Sequence, residues 1–420
     1  LAELTGAEWG YVAAGCAAAL AEVAAACVTG GDPELMARLP DTTGLRDEII
    51  MPRAQRNSYD RALRMTGARI VEVETLAELE TAIHARTALL AITGDQVHLG
   101  QLSVAEAIAV ARAHHVPCLV DAAAERPDVP NRYLALGADV VTYSGGKCLR
   151  GPQASGLVLG RKDLLQAAYL NAAPHHGLGR PMKAGKEEIM GLLAAVEAWV
   201  LGRDHQAEWR LWESYLETIR GAVAAIPSVR TELQQPGIAN VAPALLISWD
   251  AALTGGTPAD VHRLLWEGEP RIAVHLRPEG LMVMSYMMER GDDRIVAARL
   301  AELLARPGAA PAAPLEPPAV QLDGLWEVHT RYAFGHSVHA VRLEQDGAEL
   351  RGTYRSRFES VALAGSVHGH TVEFSIPLGY ESNRVQYIYR GLAEGDTLSG
   401  QVELGEYGRA TWTAQRVPAA

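Results

Sequence analysis

The sequence predicts an α/β protein with a mostly parallel sheet between helices, a small α+β domain and an added C-terminal antiparallel β-barrel-like domain. Three observations support this. Short apolar runs alternate with helical patterns through residues 11–200. A Pro- and Ala-rich stretch then interrupts the chain, and beyond it apolar residues recur at every second position. With 420 residues, the chain is also too long for one ordinary core.

Apolar runs in the first half of the chain are candidate buried strands. Helix-like patterns such as Ser58–Met65 and Ser103–Ala113 lie between several of them. Buried strands that alternate with helices are typical of a parallel sheet covered on both faces. The candidate strands are Glu48–Met51, Arg69–Val73, Ala88–Thr93, Cys118–Val120, Val140–Tyr143 and Gly156–Leu159.

A long helical pattern over residues 187–225 is expected to connect this large domain to a smaller one. The smaller domain is predicted to end in a helix over Asp292–Ala305, which begins with two acidic residues, as the helix dipole favours. Its candidate strands are Ala244–Trp249, Ile272–Leu276 and Leu281–Ser285.

The segment Arg306–Ala319 is predicted to be a linker, because its prolines lack the N–H that helices and central strands need. Beyond it, hairpins are predicted to turn at Asp346-Gly347 and near His368–His370. About eight antiparallel strands in this region indicate an up-and-down barrel or a sandwich. We therefore expect a large domain at 1–205, a small one at 206–305, a linker at 306–319 and a β-domain at 320–420.

The charge of the chain argues against some classes of partner. The net charge is -12 and the isoelectric point about 5.6. A broad anionic surface repels nucleic acid and anionic membranes at long range. The apolar run Val12–Val28 is rich in Ala and interrupted by Glu22, so a buried helix is predicted there and not a membrane span. We expect no nucleic-acid or membrane partner.

The cysteines and the N-terminus favour a cytoplasmic protein. The four cysteines show neither metal-site spacing nor the density of a disulfide scaffold. The histidines also lack a spacing typical of a metal site, so we expect no metal. The start of the chain lacks the basic region of a signal peptide. Its abrupt beginning leads us to expect that an N-terminal segment is missing.

The motif around Lys147 is the strongest sign of chemistry in the sequence. Gly145 and Gly146 precede the lysine and directly follow a predicted buried strand. An amine at the carboxyl edge of an α/β sheet lies where such sheets place ligands, and a partly desolvated amine attacks aldehydes. The alternative is a surface turn with a solvated lysine.

Two further features belong with Lys147. Asp121 ends a predicted strand, where a carboxylate can pair with a protonated pyridine nitrogen or merely cap a helix. Gly15, Cys16 and Ala17 open a small-residue helix whose first N–H groups can hold a phosphate, although an Ala-rich core helix is the alternative. Ser144 can add a hydroxyl to the same phosphate. The amine of Lys147 can bind an aldehyde, the Asp121 carboxylate a pyridine nitrogen and the helix start a phosphate. Together these three groups indicate pyridoxal 5'-phosphate (PLP) as the cofactor.

The stretch SGGKCLRGPQASGLVLG, residues 144–160, resembles the lysine motif of the selenocysteine-synthase-like family of fold-type-I PLP enzymes. That family includes L-seryl-tRNA(Sec) selenium transferases and D-glucosaminate-6-phosphate ammonia-lyases. The stretches GRPMKAGKEE (179–188) and RNSYD (56–60) resemble the ammonia-lyase branch more closely. Gly146 replaces the Asp usual in the selenium-transferase branch, and the sequence after Asp121 also differs. With the net charge of -12, this argues against charged tRNA as a substrate.

The resemblance implies a PLP-dependent transferase fold and a homodimer or higher homo-oligomer with the active site between subunits. It implies that Lys147 holds PLP as a Schiff base and that a substrate amine reacts through an external aldimine and an α-carbanion. We expect an α,β-elimination of the ammonia-lyase type on an amino acid or amino sugar acid. A racemase, epimerase or transferase on the same scaffold is the alternative, and a non-catalytic protein that binds a ligand in its C-terminal barrel is a further one.

Candidate anchors for the cofactor and the substrate complete the prediction. Gln55 is the candidate for stacking on the cofactor ring. Basic side chains are the candidates for clamping a carboxylate or phosphate. They are Arg56, Arg150, Arg180, Lys183, Lys186 and Arg277.

Overall fold

The computed structural model of the chain describes residues 1–307 and 315–418. The chain divides into two compact units, residues 1–310 and 311–420. Half of the predicted linker, residues 308–314, lies outside the described residues.

A seven-stranded mixed sheet forms the centre of the first unit. Its strands are β1 (Trp9–Ala13), β2 (Glu48–Pro52), β3 (Arg69–Val73), β4 (Thr87–Thr93), β5 (Cys118–Asp121), β6 (Val140–Ser144) and β7 (Gly156–Gly160). The strand order is β1-β7-β6-β5-β4-β2-β3. The pairs among β2 to β6 are parallel, and β7 and β1 are antiparallel to their neighbours. The predicted mostly parallel sheet is confirmed, and β1 is a strand that we did not predict.

Helices cover this sheet and lead into the rest of the unit. They are α1 (Ala2–Thr5), α2 (Cys16–Thr29), α3 (Pro33–Arg38), α4 (Asp60–Arg64), α5 (Leu76–Ala82), α6 (Val104–Ala113), α7 (Arg132–Leu136), α8 (Lys162–Asn171), α9 (Lys186–Glu197), α10 (His205–Val223), α11 (Pro258–Trp266) and α12 (Asp292–Leu304). Every residue of α2 except Ala17 is buried. Within the described ranges, no helix is long and apolar enough to cross a membrane.

Burial along the central strands explains why their sequences read as continuous apolar runs. Every residue of β2, β4 and β7 is buried, because helices pack on both faces of the sheet. At the carboxyl ends of β5 and β6, burial decreases, and Asp121 and Ser144 are only half-buried. This edge of the sheet is therefore open to a ligand.

A second, antiparallel sheet follows in the same unit. Its strands are β8 (Arg230–Gln234), β9 (Ala244–Ser248), β10 (His275–Arg277) and β11 (Gly280–Met284), in the order β10-β11-β9-β8. The long helical pattern before it is interrupted: a π-helical turn, Ala198–Gly202, follows α9, and Asp204 caps the start of α10. The prediction of one long helix over residues 187–225 was wrong there.

The second unit is a closed barrel of eight antiparallel strands. Alternating residues face inward, and large aromatic side chains such as Trp326, Phe374, Tyr389 and Trp412 fill its interior. The predicted turn at Asp346-Gly347 is confirmed, because Asp346 pairs with Glu349 across it. The strands are β12 (Gly324–Arg331), β13 (His336–Asp346), β14 (Glu349–Arg355), β15 (Ser360–His368), β16 (Thr371–Tyr380), β17 (Asn383–Glu394), β18 (Thr397–Glu403) and β19 (Arg409–Arg416).

Candidate functional site

The turn that carries Lys147 leaves the sheet directly after β6. Its backbone is closed by bonds from Gly145 N to Ser155 O (2.8 Å) and from Gly151 N to Gly145 O (2.7 Å). A Cβ at Gly145 would lie 2.0 Å from Ser155 Oγ, and one at Gly146 would lie 2.4 Å from Gln153 Oε1. The two glycines are thus required by close packing, and the turn holds the lysine in a fixed place at the sheet edge.

Asp121 lies beside this turn, at the end of the neighbouring strand. Its carboxylate accepts hydrogen bonds from Cys16 Sγ (3.3 Å) and from the Ala123 N–H (3.1 Å). Burial raises the pKa of the Asp121 carboxyl, and these two bonds together with the Lys147 ammonium oppose that rise. Lys147 and Asp121 are therefore close enough for their charges to interact.

Cys16 joins the start of α2 to the sheet edge. Its Sγ also lies 3.0 Å from Thr142 Oγ1 on β6, where either atom can be the donor. Burial and the nearby Asp121 charge raise the pKa of the thiol, so it stays protonated and acts as a donor to the carboxylate. The sequence did not reveal this contact, because Cys16 and Asp121 are 105 residues apart.

The first turn of α2 has the geometry of an anion cradle. Gly15, which precedes the helix, has a φ of 99°. Among the described residues, no side chain caps the start of α2. Gly156 on β7 packs so closely on this turn that a Cβ there would lie 2.5 Å from the Gly15 carbonyl carbon. Ser144 pairs with Gly156 across β6 and β7, which brings its hydroxyl toward the same helix start. The N–H groups and the hydroxyl fit a phosphate.

A narrow cleft borders Lys147. Lys147 and Arg150 contribute to its wall, and Arg150 donates to Glu208 Oε1 (2.6 Å) while its guanidinium lies 5.3 Å from the Trp212 ring. The wall is rich in aromatic and basic side chains. Its other residues are Arg126, Cys148, Trp199, His205, Glu208, Trp212, Asn240, Val241 and Tyr286.

Asp121 lines a second, smaller hollow of about 260 Å³, which also contains Thr93 and Asn57. Lys147 and Asp121 thus line different hollows, although their charges are close enough to interact. An amine, an acid and an uncapped helix start are the three groups that PLP requires, so the residues present fit this cofactor.

Gln55 and Arg56, predicted to contact the cofactor and the substrate, form hydrogen bonds with other residues of the chain. Gln55 is buried, and its Oε1 accepts a hydrogen bond from the Thr93 N–H (3.0 Å), so its amide fastens the end of β4. The Arg56 guanidinium donates to the carboxylates of Asp60 and Glu72. Ring stacking by Gln55 and substrate binding by Arg56 stay predictions.

The remaining basic candidates lie on exposed segments. Arg180 and Lys183 belong to the loop between α8 and α9, and Lys186 is the first residue of α9. Arg277 lies on the exposed strand β10, where it contacts Met282 Sδ (3.8 Å). The structure does not bring these four side chains into the wall of the Lys147 cleft.

A buried acid near the site was also missed by sequence reasoning. Glu125 follows β5, accepts a hydrogen bond from the Tyr133 hydroxyl (2.7 Å) and contacts the Gly94 backbone so closely that no Cβ would fit there. Burial raises its pKa to about 7. In the sequence, Glu125 is only part of an Ala-Glu-Arg-Pro stretch, and no spacing distinguishes it from a surface residue.

Comparison with known proteins gives the same fold and chemistry. The aminotransferase class-V family model matches residues 46–188. The chain is 33% identical to D-glucosaminate-6-phosphate ammonia lyase of Salmonella typhimurium (strain 14028s / SGSC 2262), over 71% of this chain and 82% of that protein. A solved structure of D-glucosaminate-6-phosphate ammonia-lyase superposes with a TM-score of 0.63 at 32% identity, over 72% of this chain and 83% of that one.

Two other relatives show the breadth of the group. A 5'-C-glycyluridine monooxygenase-decarboxylase of Streptomyces sp is 33% identical over 74% of this chain and 80% of its own length. The L-seryl-tRNA(Sec) selenium transferase of Proteus mirabilis (strain HI4320) is 27% identical over 41% of this chain and 42% of its own. The predicted resemblance, closer to the ammonia-lyase branch than to the selenium transferases, is confirmed. The chain therefore belongs to the fold-type-I family of PLP-dependent enzymes that contains D-glucosaminate-6-phosphate ammonia-lyase.

Proposed function

We propose that this chain is a PLP-dependent lyase that removes the α-proton and a β-leaving group from an amino acid or amino sugar acid. The observation that supports this most is the convergence of Lys147, Asp121 and the start of α2 on one sheet edge. The 33% identity to an ammonia lyase favours elimination as the outcome. The products would be the protonated β-leaving group and an enamine, which water hydrolyses to a keto acid and ammonia.

Each residue of the site has a distinct proposed task. PLP, when bound, supplies an aldehyde for amines and a ring that withdraws electrons from the α-carbon. The Lys147 amine holds the cofactor and takes the α-proton once it is free to do so. Asp121 keeps the ring nitrogen protonated, and the Cys16 thiol orients the carboxylate for that task. The N–H groups of Cys16 and Ala17, with the Ser144 hydroxyl, hold the phosphate.

The substrate would enter the cleft beside Lys147. Arg126 and Arg150 are its basic wall residues, and a guanidinium binds a carboxylate or phosphate through two parallel hydrogen bonds. Arg150 already pairs with Glu208, so a substrate anion would compete with that carboxylate. We propose that Arg180, Lys183 and Lys186, which lie outside this cleft, serve the active site of a neighbouring subunit.

Borohydride trapping tests the assignment of the lysine. Reduction of the PLP-loaded protein should attach one pyridoxyl group, and peptide mass analysis should place it on Lys147. Lys147→Ala should abolish the label, whereas the exposed Lys162→Ala should keep it. A label on another lysine, or no label, would contradict the proposal.

The outcome of the reaction needs a separate test. Candidate amino acids and amino sugar acids can be incubated with the enzyme in deuterated water. Ammonia together with a keto acid supports elimination. Exchange of the α-proton without either product favours a racemase or epimerase, since one scaffold hosts several outcomes.

A second candidate function follows from the equally identical Streptomyces relative. An oxidative decarboxylation of a glycyl-substituted nucleoside would consume oxygen and release carbon dioxide. An oxygen electrode and carbon dioxide detection distinguish it from elimination, which needs no oxygen.

The C-terminal barrel has a proposed role in the assembly of the protein. We propose a cytoplasmic homo-oligomer in which the barrel contributes to assembly. Sedimentation of the intact chain and of a chain that lacks residues 319–420 tests this directly. A ligand-binding role for the barrel would instead leave turnover and oligomeric state unchanged by that deletion.

A further inference from the structure

Helix α2 carries a single carboxyl group in an otherwise apolar and buried stretch. The Glu22 side chain belongs to a residue only 1% exposed, and Asn171, at the end of α8, is 0% exposed. Gly179, in the loop after α8, packs against both residues. A Cβ at Gly179 would lie 3.0 Å from Glu22 Oε1 and 2.8 Å from the Asn171 backbone oxygen.

The hydrogen bonds of this cluster leave two acceptors without donors. Glu22 Oε2 accepts from the Tyr11 hydroxyl (2.9 Å), and Asn171 Nδ2 donates to the Ala167 carbonyl (3.2 Å). Glu22 Oε1 and Asn171 Oδ1 are buried and have no partner among residues 1–307 and 315–418. A buried acceptor without a donor costs free energy, so Glu22 Oε1 and Asn171 Oδ1 each favour a proton, a water molecule or a cation beside them.

A cavity of about 140 Å³ borders Glu22 and gives such a group a way in. Glu22 forms part of its wall, and the rings of Tyr11 and Tyr169 stand there with centroids 5.8 Å apart. Aromatic faces next to a carboxylate attract cations. The other wall residues are Val12, Ala13, Ala172, Ala173, Pro174, Met182, Lys183, Ala184 and Ile189.

We propose that Glu22, Asn171 and the Gly179 loop bind a small monovalent cation, either a metal ion or a protonated amine. The charged oxygen ligand of the cluster is the Glu22 carboxylate, whereas Asn171 supplies neutral oxygens. The Glu22 carboxylate carries one negative charge and the Lys183 ammonium on the cavity wall is already positive, so a divalent ion would stay uncompensated. Oxygen ligands suit such hard cations.

The protonation of Glu22 links this site to pH. Burial raises the pKa of Glu22 to about 8, and the Tyr11 hydroxyl partly opposes the rise. The other titratable groups that face the cavity are Tyr169 from α8 and Lys183 from the loop. A bound cation replaces the proton on Glu22, so cation affinity should increase as the pH rises through about 8.

Thermal unfolding of the PLP-loaded protein tests the proposal. Potassium and ammonium chloride are compared with N-methylglucamine chloride at equal ionic strength, at pH 7 and pH 9. We expect a higher Tm with a small cation, and a larger rise at pH 9. Glu22→Gln should abolish the cation-specific rise, and Asp163→Asn, which changes an exposed carboxylate, should keep it.

A second variant and a direct measurement cover the case in which Glu22→Gln does not fold. Gly179→Ala places a methyl group against Glu22 Oε1 and should also remove the response. In crystals of the wild-type protein soaked with thallium(I), an anomalous peak between Glu22 and Asn171 would support the site. No peak there, with no cation-specific rise in Tm, would show that the cluster holds only a proton and overturn the proposal.

Discussion

The Cys16 thiol is placed to set the protonation of Asp121. Cys16→Ala removes a hydrogen bond that lowers the pKa of Asp121, so that pKa should rise further. Because the ring nitrogen needs an ionised partner, the acid limb of the pH–activity profile should move to higher pH, with several-fold less activity in the acid range. Cys16→Ser keeps a donor and should shift it less.

Cys118→Ala is the matched control for this prediction, since Cys118 is buried on the same strand as Asp121 and starts it. It should lower stability without moving the acid limb. The prediction is measured as kcat/KM against pH for the three variants. An unchanged profile in Cys16→Ala would show that the thiol does not act through Asp121.

Glu22 makes the stability of the first unit depend on pH. Its pKa is about 8 in the folded chain, against 4.5 for a glutamate in water. The folded state therefore binds this proton more tightly, and stability falls as the pH rises from about 4.5 to about 8. Glu22→Gln should be more stable than the wild type at pH 8 by on the order of a few kcal/mol, and the two should converge near pH 4.

Urea unfolding in N-methylglucamine buffer measures this difference without a small cation present. The Asp163→Asn control should follow the wild-type pH dependence. A constant difference between wild type and Glu22→Gln across the pH range would contradict a titrating Glu22.

At the scale of elements, the start of β7 fixes the position of the first turn of α2. Gly156→Ala would place a Cβ 2.5 Å from the Gly15 carbonyl carbon, so backbone must move. We expect a loss of about 1–3 kcal/mol in stability and weaker PLP binding, because the N–H groups of the cradle are displaced. Equilibrium dialysis of PLP and urea unfolding measure the two effects.

The control for Gly156 is Gly221 in α10, where an added Cβ meets no atom of the described chain within 4 Å outside its own helix. Gly221→Ala should stabilise the protein by about 0.5–1 kcal/mol and leave PLP binding unchanged. If Gly156→Ala bound PLP as the wild type does, the start of α2 would not hold the phosphate.

The elements of the site could be predicted because they follow local rules. Asp121 and Ser144 end neighbouring parallel strands, and carboxyl ends of such strands meet at one edge. Contacts between distant segments could not be predicted in this way, as the bond from Cys16 to Asp121 shows. Strand β1 was missed because its apolar residues run directly into those of α2, with only Gly15 as a sign of the boundary.

At the scale of the whole molecule, the sequence change near residue 310 corresponds to two units with separate cores. The type of β-fold could not be read from the alternation alone, because sandwiches and barrels share it. Closure depends on the pairing of β12 with β19, whose paired residues are 80 to 90 positions apart, from Arg331 and Thr411 to Trp326 and Arg416, so no local signal predicts it. The wall of the Lys147 cleft could not be predicted either, because Trp199, Trp212 and Tyr286 come from separate segments of the chain.

Separate cores predict two thermal transitions in calorimetry, only one of which responds to the cofactor. PLP at about 100 times its Kd should stabilise the first unit by about 2.7 kcal/mol and leave the barrel transition in place. Trp412, 1% exposed inside the barrel, provides the converse test. Trp412→Ala should destabilise the barrel by about 3–5 kcal/mol with PLP binding unchanged. A single transition that PLP and Trp412→Ala both move would show that the two units unfold as one, because their stabilities would then be coupled.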